Sequence, residues 1–162
     1  AVVTSPLRRC TATAEALAAA LGDPPVTVDP DLIECDFGEW EGRTYAEVRA
    51  GWPREMAAWQ SSIAVAPPGG ESFQQVAERV RHVPARLSRA YPGAAVVVVS
   101  HVSPLKLLLR DALAATDEFL HRLYLDPTGI SVVDWYPDGV VAVRSVNDTS
   151  HLVGRPRGGQ GE

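Results

Sequence analysis

The residues best suited to chemistry in this sequence sit at two turns of like design. His101 follows the run Val96-Val97-Val98-Val99-Ser100, and Arg8-Arg9 follow Ala1-Val2-Val3-Thr4-Ser5-Pro6-Leu7. Each turn gives an apolar run, then a serine, then Pro-Leu and a basic residue, Arg8 in one and Lys106 in the other. Histidine can donate or accept a hydrogen bond, and arginine presents a fixed fork of donors that matches a phosphoryl group. If each run is a strand and each turn opens a helix, unpaired helix N–H groups add positive potential at the same edge. That combination suits a phosphate. The same pattern equally describes two well-capped helices in an ordinary α/β domain.

The elements that must position these groups can be read along the chain. Four β-branched valines after Ala94-Ala95 predict a strand buried on both faces of a parallel sheet. Ser103 as N-cap and Pro104 at the first helical position predict a helix through Leu107, Leu108 and Leu109 towards Ala114, and Ser5 is the corresponding cap in the first turn. An alanine-rich helix from Arg8 to Leu21 stops at Gly22 before Pro24-Pro25, and Val26-Thr27-Val28 is a short strand. Leu32 to Gly42 mixes acidic and aromatic residues without a period, which reads as an ordered loop with a function. Thr44 and Glu47 form a capping box, and Pro53 opens a helix with Met56 and Trp59. After the loop Ile63 to Ser72, the stripe Phe73, Val76, Val80, Val83 or Leu87, and Tyr91 predicts one long amphipathic helix, kinked at Pro84. Leu123 to Leu125 is a strand candidate, and Ser131 to Tyr136 with Val140 to Val146 a hairpin about Pro137-Asp138-Gly139. Alternating helices and strands predict a three-layer α/β/α sandwich with a mainly parallel sheet and an antiparallel hairpin. Residues 1–152 form the expected domain and 153–162 a flexible tail.

Composition narrows the classes. The 162 residues are enough for one domain with a proper core, and 46% hydrophobic with 22% charged residues is ordinary for a globular chain. A net charge of −5 argues against direct nucleic-acid binding or attachment to an anionic membrane. No apolar run nears the roughly 20 residues of a membrane span. Cys10 and Cys35 lack metal-ligand spacing and read as small core residues in a reducing, cytoplasmic setting. Trp40, Trp52 and Trp59 suit core packing better than a wall for a ligand ring.

In chain order, Ser5-Pro6-Leu7-Arg8-Arg9-Cys10-Thr11-Ala12-Thr13-Ala14, Glu34…Phe37-Gly38…Trp40-Glu41-Gly42, Pro68-Gly69-Gly70-Glu71-Ser72 and Val99-Ser100-His101 resemble the motifs of the histidine phosphatase (phosphoglycerate mutase-like) superfamily. The look is closest to α-ribazole phosphatase-like acid phosphatase domains, including those fused behind a ribonuclease H domain. The resemblance implies hydrolysis of a small phosphorylated substrate without a cofactor or metal, through a phosphohistidine. It makes Arg9 a phosphoryl-binding arginine and His101 a hydrogen-bond donor to the transferring group, with Val102 beside it. Glu34 becomes the acid for the leaving group, in a setting made less polar by Ile33, Phe37 and Trp40. Glu71 and Ser72 fall by the substrate entrance, and Ser5 and Thr13 are structural. Partners consistent with it are an N-terminal ribonuclease H domain and a second copy in a homodimer.

The sequence departs from the family at one motif. Arg-His-Gly, which carries the family's nucleophilic histidine on its first strand, occurs nowhere in these 162 residues, and His82, His121 and His151 read as surface or packing histidines. The expected fold therefore lacks that strand, and the chain alone is expected to be inactive. The segment is expected upstream, on a neighbouring chain, or lost. A binding or interaction module appended to another enzyme is the alternative.

Overall fold

The valine run and the N-terminal strand do pair. In the computed structural model, which describes residues 1–136 and 138–154, β1 (Val2–Thr4) is central between β2 (Val26–Val28) and β3 (Val97–Val99), all parallel. Val2 lies opposite both Val26 and Val97, and Thr4 opposite Val28 and Val99. All three strands thus end level, and the turns that follow them meet at one edge.

Both faces of this sheet are covered. On one, α1 (Arg8–Ala20) sets Ala14 and Ala18 against Val2, Val97 and Val99. Alanine is the best helix former, and its small side chain lets the helix lie close to the strands. On the other face, Val3, Val96 and Val98 meet the main core: α4 (Phe73–Val80), α5 (Val83–Ala90) and α6 (Val102–Ala112) contribute Val76, Val80, Val83 and Leu107, all at most 1% exposed. Two short helices, α2 (Tyr45–Gly51) and α3 (Pro53–Ser61), carry a satellite cluster of Trp40, Val48 and Met56. After α7 (Phe119–Arg122), the hairpin of β4 (Ile130–Trp135) and β5 (Val141–Asp148) forms its own antiparallel sheet. A cleft of about 530 Å³, lined by Ser88, Arg89, Leu108, Ala112, Trp135 and Val141 among others, separates it from α5 and α6.

Several local expectations hold, among them the Thr44 capping box and the helix stop at Gly22. Others need correction. Leu7, not Ser5, is the N-cap of α1, and His101, not Ser103, is the N-cap of α6, so α6 starts two residues early and ends at Ala112. Pro-Leu after serine fits cap grammar, but Ser5 spends its hydroxyl on a distant partner described below, and Ser103 is buried inside the helix. Pro84 ends one helix and opens another, and His82 is the N-cap of α5. Proline lacks the N–H a continuing helix needs, and its ring clashes with the preceding turn. Leu123 to Leu125 is not a strand: no described strand lies beside it, and Tyr124 is 60% exposed. The valines of β3 are half-buried, because β3 is an edge of the three-stranded sheet. Pro137 of the hairpin turn and most of the expected tail lie outside the described residues.

Candidate active site

At the level ends of β1 and β3 the chain brings Ser5, Arg9, Cys10 and His101 together. Ser5 is held at the strand end by its N–H, which donates to the Val99 carbonyl at 2.9 Å. Its Oγ lies 2.7 Å from His101 Nε2. Arg9, in the first turn of α1, donates from Nε to His101 Nδ1 at 3.2 Å. Cys10 Sγ packs against the same ring, 3.4 Å from Nε2. His101 is 7% exposed, and burial, with help from the positive charges of Arg9 and Arg79, lowers its pKa from 6.5 against the opposing pull of Glu34. Burial is also the main reason that the Cys10 thiol is raised above its ordinary value.

Glu34 reaches this cluster from the turn after β2. Its Oε1 accepts from its neighbour Cys35 N at 2.9 Å and from Ser103 N at 3.2 Å, which seats the carboxylate against the start of α6. A helix N-terminus favours such a charge. Val102, 47% exposed, opens the same helix, and a first-turn N–H has no intrahelical acceptor. Phe37 and Trp40, read as walls for Glu34, pack instead with Trp59 and Phe73, in edge-on or tilted pairs with ring centres 5.2 to 6.4 Å apart. Trp40 and Trp59 also line a cavity of about 270 Å³ with Phe37, Tyr45 and Met56.

Glu71 and Ser72 are engaged in the framework. Ser72 is the N-cap of α4, its Oγ accepting from Gln75 N at 3.2 Å while its own N–H donates to Gln75 Oε1 at 2.8 Å. Glu71 takes a two-pronged contact from Arg79, Nε and Nη2 each at 3.0 Å from its carboxylate oxygens. Arg79 was not singled out in the sequence, where it reads as part of the solvated face of a helix. It also donates to the backbone carbonyls of Asp31 and, at 3.2 Å, of Glu34. One guanidinium thus ties the acidic loop to α4 behind the site.

A second tie is made by backbone alone. Gly38, with φ of +54°, passes so close to the 67–70 loop that a Cβ there would lie 2.2 Å from the Pro68 carbonyl oxygen, and one on Gly70 would lie 2.4 Å from that of Asp36. Glu39 N donates to Pro68 O at 2.9 Å, and Glu71 N to Asp36 O at 2.7 Å. Beyond the second of these contacts lies Cys35, whose Sγ donates to the Glu71 carbonyl at 3.2 Å and whose thiol burial and the Glu71 and Glu34 charges push up to about 12. Among the described residues no group of three or more His, Cys, Asp or Glu side chains is arranged to hold a metal ion, and no helix is long and apolar enough to cross a membrane.

A site of this make can hold a tetrahedral oxyanion between an arginine fork, a histidine and a helix N-terminus, with a carboxylate to one side for proton transfer. The histidine phosphatase superfamily (branch 1) profile matches residues 1–149. The "Bifunctional protein Rv2228c" of Mycobacterium tuberculosis is 48% identical over 152 residues, which are 94% of this chain and 42% of that protein. The chain therefore spans less than half the length of that relative. Among solved structures, Bacillus stearothermophilus YhfR superposes with a TM-score of 0.84 at 27% identity, covering 94% of this chain and 75% of the other. The α-ribazole phosphatase of Shigella flexneri gives 0.78 at 28% identity, covering 91% and 72%. Further relatives carry both phosphatase and mutase names. With the profile matched from the first strand to beyond the hairpin, this chain belongs to the histidine phosphatase superfamily.

Proposed function

We propose that the domain hydrolyses phosphomonoesters of a small phosphorylated metabolite or nucleotide, without a metal, through a phosphohistidine. The observation that supports this reading is the meeting of Arg9, His101 and Glu34 at the shared ends of β1 and β3 and the start of α6. Arg9 and His101 hold the phosphoryl oxygens, assisted by the Val102 N–H at the start of α6. The nucleophilic histidine comes from an Arg-His-Gly strand outside these 162 residues, laid along the free edge of β3. Attack by its nitrogen breaks the ester P–O bond, and the leaving oxygen takes a proton from Glu34. Water then attacks the phosphohistidine and gives its proton back to the Glu34 carboxylate, releasing inorganic phosphate. Hydrolysis is favoured over mutase transfer because transfer needs a second phosphate position closed to water, and the 162 residues carry no added basic insertion to form one.

The longer chain implied by the bifunctional relative is read as a cytoplasmic protein with an upstream ribonuclease H domain, and Glu71 and Ser72 as framing the substrate entrance through the loop they anchor. The test compares p-nitrophenyl phosphate with an alkyl phosphate in the intact protein. Glu34→Gln is expected to cost far more on the alkyl ester, whose leaving group needs the proton. Equal losses on both esters would remove Glu34 from the acid role. Binding of inorganic phosphate without turnover by the intact protein would instead establish a binding module.

A further inference from the structure

After β2 the segment that bears Glu34 makes a single 3₁₀ turn, Pro30–Leu32, and pairs with no described strand, so its backbone carbonyls must find partners elsewhere. Side chains from two distant elements supply them. Arg79 of α4 donates from Nη1 to Asp31 O and from Nη2 to Glu34 O, the latter at 3.2 Å, and so brackets the turn at both ends. Leu32 O, between them, accepts from Ser100 Oγ at 2.7 Å. The guanidinium is itself held still. Its Nε and Nη2 fork onto Glu71 at 3.0 Å each, and α4 is anchored in the core by Val76 and Val80, both 0% exposed. Four of the five N–H groups of the guanidinium are engaged in these contacts.

The carboxylate of Glu34 has much less to hold it. Oε1 accepts from Cys35 N of the same segment, and from the rest of the molecule only Ser103 N donates to it, at 3.2 Å. Oε2 accepts no hydrogen bond among the described residues. The place of the carboxylate against α6 therefore follows the place of its backbone. We propose that Arg79 is the positioning residue of Glu34, holding the turn so that Oε1 stays on the Ser103 N–H and Oε2 is presented to the leaving oxygen. The inference rests on the acid role given to Glu34 above, and adds to it the residue that aims the acid. Because Glu71 takes the forked face of Arg79, the cation meets Glu34 at its carbonyl and not at its carboxylate. Lysine keeps the charge but has no planar fork, so it cannot serve Glu71 and both carbonyls at once.

Two readouts distinguish aiming from plain support. The first needs no turnover. In the 162-residue chain the ¹H–¹⁵N amide resonance of Ser103 reports its bond to Glu34, and Glu34→Ala marks where that resonance lies once the acceptor is gone. Arg79→Lys is expected to carry the Ser103 amide most of the way to that position, while the amides of Leu107 and Leu108, deeper in α6, stay in place. The second readout is turnover by the intact protein. Arg79→Lys is expected to lower kcat up to about 100-fold on an alkyl phosphate, as a misplaced catalytic group does, and much less on p-nitrophenyl phosphate, with KM for both near that of the parent. In a Glu34→Gln background the same change is expected to add no further difference between the esters. A Ser103 amide that stays in place in Arg79→Lys would overturn the proposal. So would equal losses on both esters where Glu34→Gln alone still tells them apart. If Glu34→Gln loses both esters equally while the Ser103 amide follows Arg79, the acid role falls and the positioning stands. Should Arg79→Lys fail to fold, Glu71→Gln, which loosens the fork, is expected to move the same amide in the same direction, and an unmoved amide there counts equally against it.

Discussion

Buried and held between Ser5 and Arg9, His101 carries a pH signature of its own in stability. Its folded pKa lies below the ordinary 6.5, chiefly through burial, so between the two values the unfolded chain binds more protons than the folded one. Its contribution is whole above about pH 6.5 and is lost as pH falls towards the folded pKa. Urea unfolding of the parent and of His101→Asn at pH 7.5 and 5.5 is expected to show the difference between them shrinking at the lower pH. A constant difference would mean that the ring titrates alike in both states. At this scale the sequence was legible where a residue's role is local. Arg9 and His101 stood out because each follows an apolar run at a turn. Ser5 was misread as a cap because its partner lies 96 residues away, and no spacing rule reports such a contact.

Arg79 and its contacts show what holds the acidic loop as an element. The Arg79–Glu71 pair leaves its side chains 17% and 21% exposed, so removing the cation strands a mostly buried carboxylate. Arg79→Met is expected to cost about 3 kcal/mol, trimmed from the loss typical of a fully buried pair. Adding Glu71→Gln should recover part of it, and a double-mutant cycle in urea checks this; simple additivity would mean the pair does not couple. Periodicity gave most of the helices because each buries a stripe, as Phe73, Val76 and Val80 do in α4. It ran one helix through Pro84 because the apolar stripe continues past the break on both sides. The 32–42 loop was recognised as ordered without any way to see why. Its order comes from Arg79 and from two glycine backbones in contact, which are tertiary facts.

Across the whole molecule, the three-stranded sheet ends at β3 among the described strands, with the hairpin forming a separate sheet beyond a cleft. Val97 N donates to Ala1 O at 3.0 Å and Ser5 N to Val99 O at 2.9 Å, so residues 97 and 99 face β1 and the polar backbone groups of Val98 face the other way. Such an edge is a template for another strand. In the 162-residue chain the Val98 amide is expected to exchange with solvent much faster than those of Val97 and Val99. In a longer protein that supplies the Arg-His-Gly strand it should become as slow as they are. Equal protection of all three in the short chain would show that this edge is already covered. The sheet order could not be read from the sequence, because alternating strands and helices fix the crossover sense and leave the order of strands open.

The two native cysteines have a practical consequence. Cys10 and Cys35 are buried, and both thiols are held in the protonated form, Cys35 up to about 12, so neither offers the thiolate that alkylating dyes attack. A fluorophore can therefore be installed on this protein with its natural cysteines left in place. Ala57→Cys, on the exposed side of α3, is expected to take one maleimide per folded chain, where the parent takes none until it is unfolded. Counting labels by intact mass would verify an optical handle on the helices that carry the Trp40 cluster, and the unlabelled parent doubles as a thiol-trapping reporter of its own unfolding.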